Sequence, residues 1–515
     1  MSNPSTGAFA AETLPTRVGV VGCGLMGRGI AQIAAQAGDR VVLLDSRTGA
    51  AEEARKALTD TFERLVSRNK ISRADADAAM TNISTTDEVA GLDGCEVVVE
   101  AIVENLEVKK NLFADLERAL GPDAILASNT SSLSVTAIAA DLDHPERVAG
   151  FHFFSPVPLM KIVEVVDGLL SSPQVGDRLM LLGQRWGHTA VRVKDTPGFI
   201  VNHAGRGFGT EGLRILAESV AQHPALDRIL RDCAGFRLGP FELLDLTGLD
   251  VSAPVMDSIY HQYYEEPRYR PQPLLRTMLA AGLLGRKVGR GFYNYGPDGK
   301  PEPAAECKIP RVRAERVWVS AARPQLAAVV RALLSKLGAR VSDADRPAED
   351  ELIVVTPLGE DASTCAAAQG LDASRTIAVD ALFALDRRRV VMSTPATTPQ
   401  WRQLALGLLG ADGVAVDAVS DSAGLVAQRV VAHIVNIACE IAQQGIASPV
   451  DIDRAVTLGL GYPHGPLAWG DALGLGTVLT ILENLQAASG DPRYRPTPWL
   501  RRRAALGLSL LTQET

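Results

Sequence analysis

Between His152 and Val166 the chain reads "HFFSPVPLMKIVEVV". A histidine ends one apolar run, and Glu164 stands alone among valines in the next. Both runs have the pattern of buried strands, and Pro156 and Pro158 lie between them. Two strands joined by a Pro-containing turn would set residues twelve apart side by side. A carboxylate in an apolar sheet is costly unless it is paired, and His152 is the nearest candidate. Such a pair fixes the imidazole tautomer and raises its basicity, as a general base near neutral pH requires. The same pair would also satisfy a core histidine beside a strand glutamate.

A second chemical signature lies upstream, in "RVGVVGCGLMGRGIAQIAAQAGDRVVLLD" from Arg17 to Asp45. A β-branched run leads into Gly22-x-Gly24-x-x-Gly27. A helical pattern follows, with Leu25 and Met26 at its start. It stops at Gly38, and a second strand ends at Asp45. This is a βαβ unit. Gly22 permits a tight turn, Gly24 lets the backbone approach a pyrophosphate, and Gly27 lets the helix pack on the strand. The helix N-terminus then faces the phosphates. Asp45 comes 23 residues after Gly22, where a carboxylate accepts a ribose 2′-OH and repels a 2′-phosphate. NAD is therefore expected rather than NADP, although Arg47 could serve a 2′-phosphate.

Further parallel strands are expected in "EVVVEAIVEN" (96–105) and "AILASNTSSLSV" (124–135). Ligands in open α/β sheets gather beyond the C-terminal strand ends. That places Glu104, Lys109, Asn129 and Ser131 near a cofactor or substrate. A helix cap is an equal reading for Ser131 and Ser132.

The composition agrees with these elements. The chain has 515 residues, 46% hydrophobic and 22% charged, with a net charge of −8 and a pI near 5.6. This is an ordinary globular mix with room for two to four domains. No basic block points to nucleic acid. The six cysteines show no metal or redox spacing, as in reduced cytosolic proteins, and no cluster has metal-ligand spacing. No apolar run reaches transmembrane length. The N-terminus is too polar for a signal peptide, so a cytoplasmic protein without membrane contact is expected.

Seven ordered motifs now carry a family likeness. They are "VGVVGCGLMGRGIA", "EAIVENLEVKKNLF", "SNTSSL", "FHFFSPVPLMKIVEVV", "DTPGFIVN", "FRLGPFELLDLTGLDV" and "GRKVGRGFYNY". Together they resemble the 3-hydroxyacyl-CoA dehydrogenases, from about residue 17 to 295 and again in the last hundred residues. The two-part C-terminal layout looks like the long bacterial form, whose members act on 3-hydroxybutyryl-CoA, or on 3-hydroxyadipyl-CoA in phenylacetate breakdown. The resemblance implies that His152 is the base for the 3-hydroxyl and that Glu164 stabilises the imidazolium. It also implies that Ser131 binds the oxygen at C3, Asn202 binds near the thioester carbonyl, and Glu104 and Lys109 lie at the cofactor. In the segment where the family has a helical arm over CoA, Arg64, Arg68 and Lys70 could meet its phosphates. An exposed helix face would carry the same residues. His203, next to Asn202, stands where the family often has arginine, and "HAGRGFGTEG" is rich in glycine for that place.

An internal duplication runs through the second half. "DTPGFIVN" at 195 matches "DSAGLVAQ" at 421, "GPFELLDLTGLDV" at 239 matches "GPLAWGDALGLGTV" at 465, and "SSPQ" at 171 matches "TTPQ" at 397, each offset by 226 residues. A constant spacing marks a repeat. Projected by that offset, His152 falls on Ala378, Glu164 on Val390 and Asn202 on Gln428. The expected architecture has a disordered tail (1–16), an NAD-binding Rossmann-type α/β domain (17–195) and a helical unit (196–295). A linker (296–344), a degenerate α/β remnant without a cofactor site (345–420) and a second helical unit (421–515) follow. The two helical units should pack on each other within one chain, as equivalent units do in the family's dimers. A homodimer of whole chains is compatible with this pattern.

The leading reading is NAD-dependent oxidation of a 3-hydroxyacyl-CoA. A β-hydroxy-acid dehydrogenase without CoA would use a lysine base, and no lysine replaces His152. A non-catalytic relative, crystallin-like or NAD-sensing, would not need His152, Glu164, Ser131 and Asn202 together.

Overall fold

The computed structural model describes residues 16–514. The expected tail therefore lies outside the described residues, except for Thr16. That residue is buried, and its amide donates to Asp39. The chain divides into two compact units that meet in sequence at Phe199 and Ile200.

The first unit is built on an eight-stranded sheet. Its strands are β1 (Arg17–Val21), β2 (Arg40–Leu44), β3 (Ile83–Thr86), β4 (Val97–Glu100), β5 (Ile125–Ser128), β6 (Val148–Phe153), β7 (Ile162–Asp167) and β8 (Thr189–Lys194). Their order is β3-β2-β1-β4-β5-β6-β7-β8. Only the β6–β7 pair is antiparallel. Near-continuous β-branched runs suit strands covered on both faces. The helix Leu25–Gln36 buries Ile30, Ala31, Ile33 and Ala34 in a core shared with Val18 and Val20 of β1.

The second unit carries a six-stranded sheet. It comprises β9 (Arg316–Val319), β10 (Arg340–Ser342), β11 (Leu352–Val355), β12 (Thr376–Val379), β13 (Arg388–Ser393) and β14 (Ala415–Val419), ordered β10-β9-β11-β12-β13-β14. This corrects one expected boundary. Residues 316–342 lie in the span read as a linker, yet they form strand, helix (Pro324–Lys336) and strand. The remnant begins there and not at 345. β9 and β10 pair as β1 and β2 do, Arg316 opposite Arg340 and Arg17 opposite Arg40. Without its glycines the βαβ unit carried no signal that set it apart from a linker.

Both helical regions belong to this unit and pack on each other. The helix Arg206–Ala217 lies against the helix Ala427–Gln443. Glu211 accepts from Arg429 Nε (2.5 Å) and from the Tyr494 hydroxyl (2.6 Å). The glycine-rich run is helical because its glycines permit close approach. A Cβ on Gly207 would meet Ile434 and Ile437, one on Gly209 would meet Met256, and one on Gly212 would meet Pro240. His203 is held between Tyr269 (2.7 Å) and Tyr263 (3.0 Å).

Candidate active site

The glycine turn after β1 has the geometry its spacing requires. Gly22 takes φ +98°, a region that favours glycine. A Cβ there would lie 2.5 Å from the Ala101 carbonyl oxygen, and one on Gly27 would lie 1.8 Å from the Gly22 oxygen. Gly24 caps the helix, and a Cβ added to it would face open space. A loop that needs glycine, a cap with room beside it and a helix N-terminus together fit a dinucleotide phosphate. Leu25 is exposed at the helix start, and Met26 packs on the core. Asp45 follows β2 and accepts from the amides of Cys23 (2.7 Å) and Arg47 (3.1 Å), so its carboxylate is oriented at the strand end. The Arg47 guanidinium is exposed and paired with Glu53 (2.9 Å). Burial, with Asp45 beside it, pushes the Cys23 thiol up to about 11, so it is not a thiolate at neutral pH.

Beyond β4 and β5 a polar cluster fixes the next loop. Glu100 is fully buried and accepts from Lys109 Nζ (2.5 Å), Ser128 Oγ (2.6 Å) and the Ile102 amide (2.7 Å). Lys109 also pairs with Glu104 (3.2 Å). Glu104 Oε1 accepts from Thr130 Oγ1, Ser132 Oγ and the amides of Ser131 and Ser132. Burial raises its carboxyl, but these hydrogen bonds and the Lys109 charge outweigh that and leave it lowered. The expected cofactor role of Lys109 is corrected here. At 1% exposure, its ammonium is enclosed by carboxylates, so it acts through Glu104 on the loop. In the Thr130–Ser132 row only the Ser131 hydroxyl has no partner among the described residues. Asn129 Oδ1 accepts the Phe153 amide (2.8 Å) and ties the ends of β5 and β6.

The antiparallel register of β6 and β7 sets His152 directly opposite Glu164. His152 Nδ1 and Glu164 Oε2 are 2.7 Å apart, the histidine 4% exposed and the glutamate 0%. Phe154 and Phe199 flank the imidazole, with ring centroids at 4.4 and 5.6 Å. With Nδ1–H donating to the carboxylate, the imidazole lone pair lies on Nε2.

Arg64, Arg68 and Lys70 are exposed. They lie at the end of the helix Ala50–Ser67 and in the turn that leads to the helix Arg73–Thr81. Arg64 lines a cavity of about 530 Å³ together with Arg28, Gln32, Thr61 and the Pro156–Leu159 turn. Arg68 and Lys70 do not line it. Arg28 and Thr61 had no signal of their own, because only the fold sets them beside Arg64. Asn202 lies in the other unit, in the short helix Val201–Ala204, and is partly exposed.

The first unit has the glycine turn of a nicotinamide dinucleotide site and a buried histidine–glutamate pair on the same sheet, the layout of a dehydrogenase of the doubly wound α/β class. A family model described as 3-hydroxyacyl-CoA dehydrogenase, NAD binding domain, matches residues 17–196. The model of the family's C-terminal domain matches 198–295 and again 424–512. This chain belongs to the 3-hydroxyacyl-CoA dehydrogenase family. It is 38% identical over 490 residues to the 3-hydroxyadipyl-CoA dehydrogenase of Escherichia coli K12, which covers 95% of this chain and 97% of that relative. A probable 3-hydroxybutyryl-CoA dehydrogenase of Bacillus subtilis is 40% identical over 276 residues, 54% of this chain and 96% of its own length. The crystal structure of 3-hydroxybutyryl-CoA dehydrogenase from Escherichia coli K12 superposes with a TM-score of 0.85 at 34% identity, covering 96% of this chain and 99% of that one. The activity is NAD-dependent oxidation of a 3-hydroxyacyl-CoA to the 3-oxoacyl-CoA. No described helix is long and apolar enough to cross a membrane.

Proposed function

We propose that the substrate is a short (S)-3-hydroxyacyl-CoA of the 3-hydroxybutyryl or 3-hydroxyadipyl type, and that His152 is the general base. The buried His152–Glu164 contact at 2.7 Å carries this reading. His152 Nδ1–H donates to Glu164, so Nε2 takes the proton of the 3-hydroxyl as the C3–O bond becomes a carbonyl. NAD, when bound, supplies the acceptor for the hydride that leaves C3. Glu164 then stabilises the imidazolium. Ser131 donates its uncommitted hydroxyl to the oxygen at C3, and Asn202 binds near the thioester carbonyl. Phe154 and Phe199 exclude water from the imidazole. CoA phosphates fit the cations Arg28 and Arg64 at the 530 Å³ cavity, with Arg68 and Lys70 beyond it. Free cysteines throughout the described chain agree with a cytoplasmic setting.

The test is NADH formation from 3-hydroxybutyryl-CoA and 3-hydroxyadipyl-CoA against free 3-hydroxybutyrate. Turnover of an acyl-CoA and not of the free acid is expected. Failure on every acyl-CoA would overturn the reading.

A further inference from the structure

The link between β2 and the helix Ala50–Ser67 has a fixed backbone. The Arg47 amide donates to Asp45 Oδ1 (3.1 Å), and the Arg47 carbonyl accepts from the Ala50 amide (3.0 Å). Arg47 is thereby tied to the carboxylate at the end of β2, the one that faces the adenosine ribose in a site of this class. An arginine beside that place is what a dinucleotide site uses to accept the 2′-phosphate of NADP. By position and charge, Arg47 qualifies.

Its side chain is committed elsewhere. Nη1 donates to Glu53 Oε1 (2.9 Å) and Nη2 to Glu53 Oε2, a contact of two forks. Glu53 stands in the first turn of the helix, where the helix dipole favours a carboxylate. The same turn carries Glu52, which accepts from Thr85 Oγ1 (3.2 Å). The cap is Gly49, which offers no side chain, and its amide donates to Asp87 Oδ1 (3.4 Å). Carboxylates of the chain thus answer both the cation of the link and the positive end of the helix. A 2′-phosphate arriving here meets the Asp45 carboxylate and a guanidinium whose charge is already matched. The fold gains little from the pair, since its side chains are 62% and 65% exposed and ion pairs so exposed add little stability.

We propose that Glu53 is a specificity residue for the cofactor. By holding Arg47 it denies the 2′-phosphate its cation and completes the preference for NAD that Asp45 begins. NAD has a hydroxyl at that carbon and needs neither Arg47 nor Glu53. The proposal concerns the dinucleotide alone and holds whichever acyl-CoA is the substrate.

The experiment titrates NADH and NADPH into the full-length protein at low salt without acyl-CoA, with binding read from the fluorescence of the reduced nicotinamide. Wild type should bind NADH at least about tenfold more tightly, because the 2′-phosphate is set against a like charge. Glu53→Ala should tighten NADPH by roughly threefold to tenfold and leave NADH within about twofold, a modest gain because the pair is exposed and Asp45 remains. Glu53→Gln should move NADPH in the same direction by less. In the double variant, Arg47→Ala with Glu53→Ala, most of the gain should disappear. NADP-linked kcat/KM should follow the binding. Equal binding of the two cofactors by wild type, or an unchanged ratio in Glu53→Ala, would overturn the proposal. A gain that survives in the double variant would overturn it too, since Glu53 would then act by its own charge and not through Arg47.

Discussion

The chain holds two sheets of related strand order, eight strands in the first and six in the second, and among the described residues only the first has the glycine turn and the histidine–glutamate pair. In the first, Gly22, Gly24 and Gly27 open a cradle at a helix start. In the second, Ala321, Arg323 and Leu326 occupy those places, counted back from the helix that begins at Pro324, and Arg323 pairs with Glu360 (3.3 Å). The β6–β7 hairpin sets His152 against Glu164. Its counterpart sets Ala378 against Met392 and Val379 against Val391. The projection by 226 residues had paired Ala378 with Val390. The hairpin closes in a different register, but every residue of the pair is apolar either way. Asn202 is partly exposed. Gln428, its counterpart, is 1% exposed, accepts from the Gly359 amide and donates to Pro357 and Asp380. The strands survived because strands build a core. The glycines, the ion pair and the free amide are absent from the copy that keeps the fold, so the fold did not require them.

The largest effect that tests this contrast is at His152. His152→Ala should lower turnover by about 10²–10⁴-fold, the usual worth of a positioned general base. Steady-state NADH formation measures it, with the melting temperature as control. Turnover close to wild type would mean that the base lies elsewhere, the second sheet included.

A smaller effect is expected from writing the second copy's cap into the first. Gly24→Arg places at the helix start the side chain that Arg323 has there. A Cβ on Gly24 faces open space, so the fold should tolerate it and the melting temperature should stay close to wild type. The KM for NAD should rise at least about tenfold, because the backbone no longer approaches the pyrophosphate. An unchanged KM with a folded protein would show that the glycine cradle is not what separates the two sheets.

What the sequence made legible was local or periodic. The glycine triplet with its flanking strands and Asp45 specified the first βαβ unit. A lone glutamate in a strand pointed to His152 because burial demanded a partner. The constant offset revealed the second copy. Two features were hidden for physical reasons. The βαβ unit at 316–342 had exchanged its turn glycines for alanine, arginine and leucine, and so read as a linker. Lys109 looked like a ligand-facing cation, and only the positions of Glu100 and Glu104 show that it is enclosed.

The smallest effect concerns what the second copy holds in place of a reacting group. Asp380 follows β12 at the position that Phe154 has beside His152. Its Oδ1 accepts from Gln428 Nε2 (2.9 Å) and the Leu382 amide (3.3 Å), while the buried Oδ2 has no partner among the described residues. Burial raises this carboxyl from 3.8 to about 6. Between those values the folded chain keeps a proton that the unfolded chain has lost, so this group makes stability fall as pH rises. The penalty is absent below 3.8, fully present above about 6, and on the order of 1–3 kcal/mol. Asp380→Asn keeps the Oδ1 acceptor and removes the charge. It should raise the melting temperature by a few degrees at pH 8, and the gain should vanish near pH 4. Thermal melts at the two pH values decide it. Equal destabilisation at both would mean that the carboxylate is compensated in the fold, and that the second crevice is more than a packed remnant of the first.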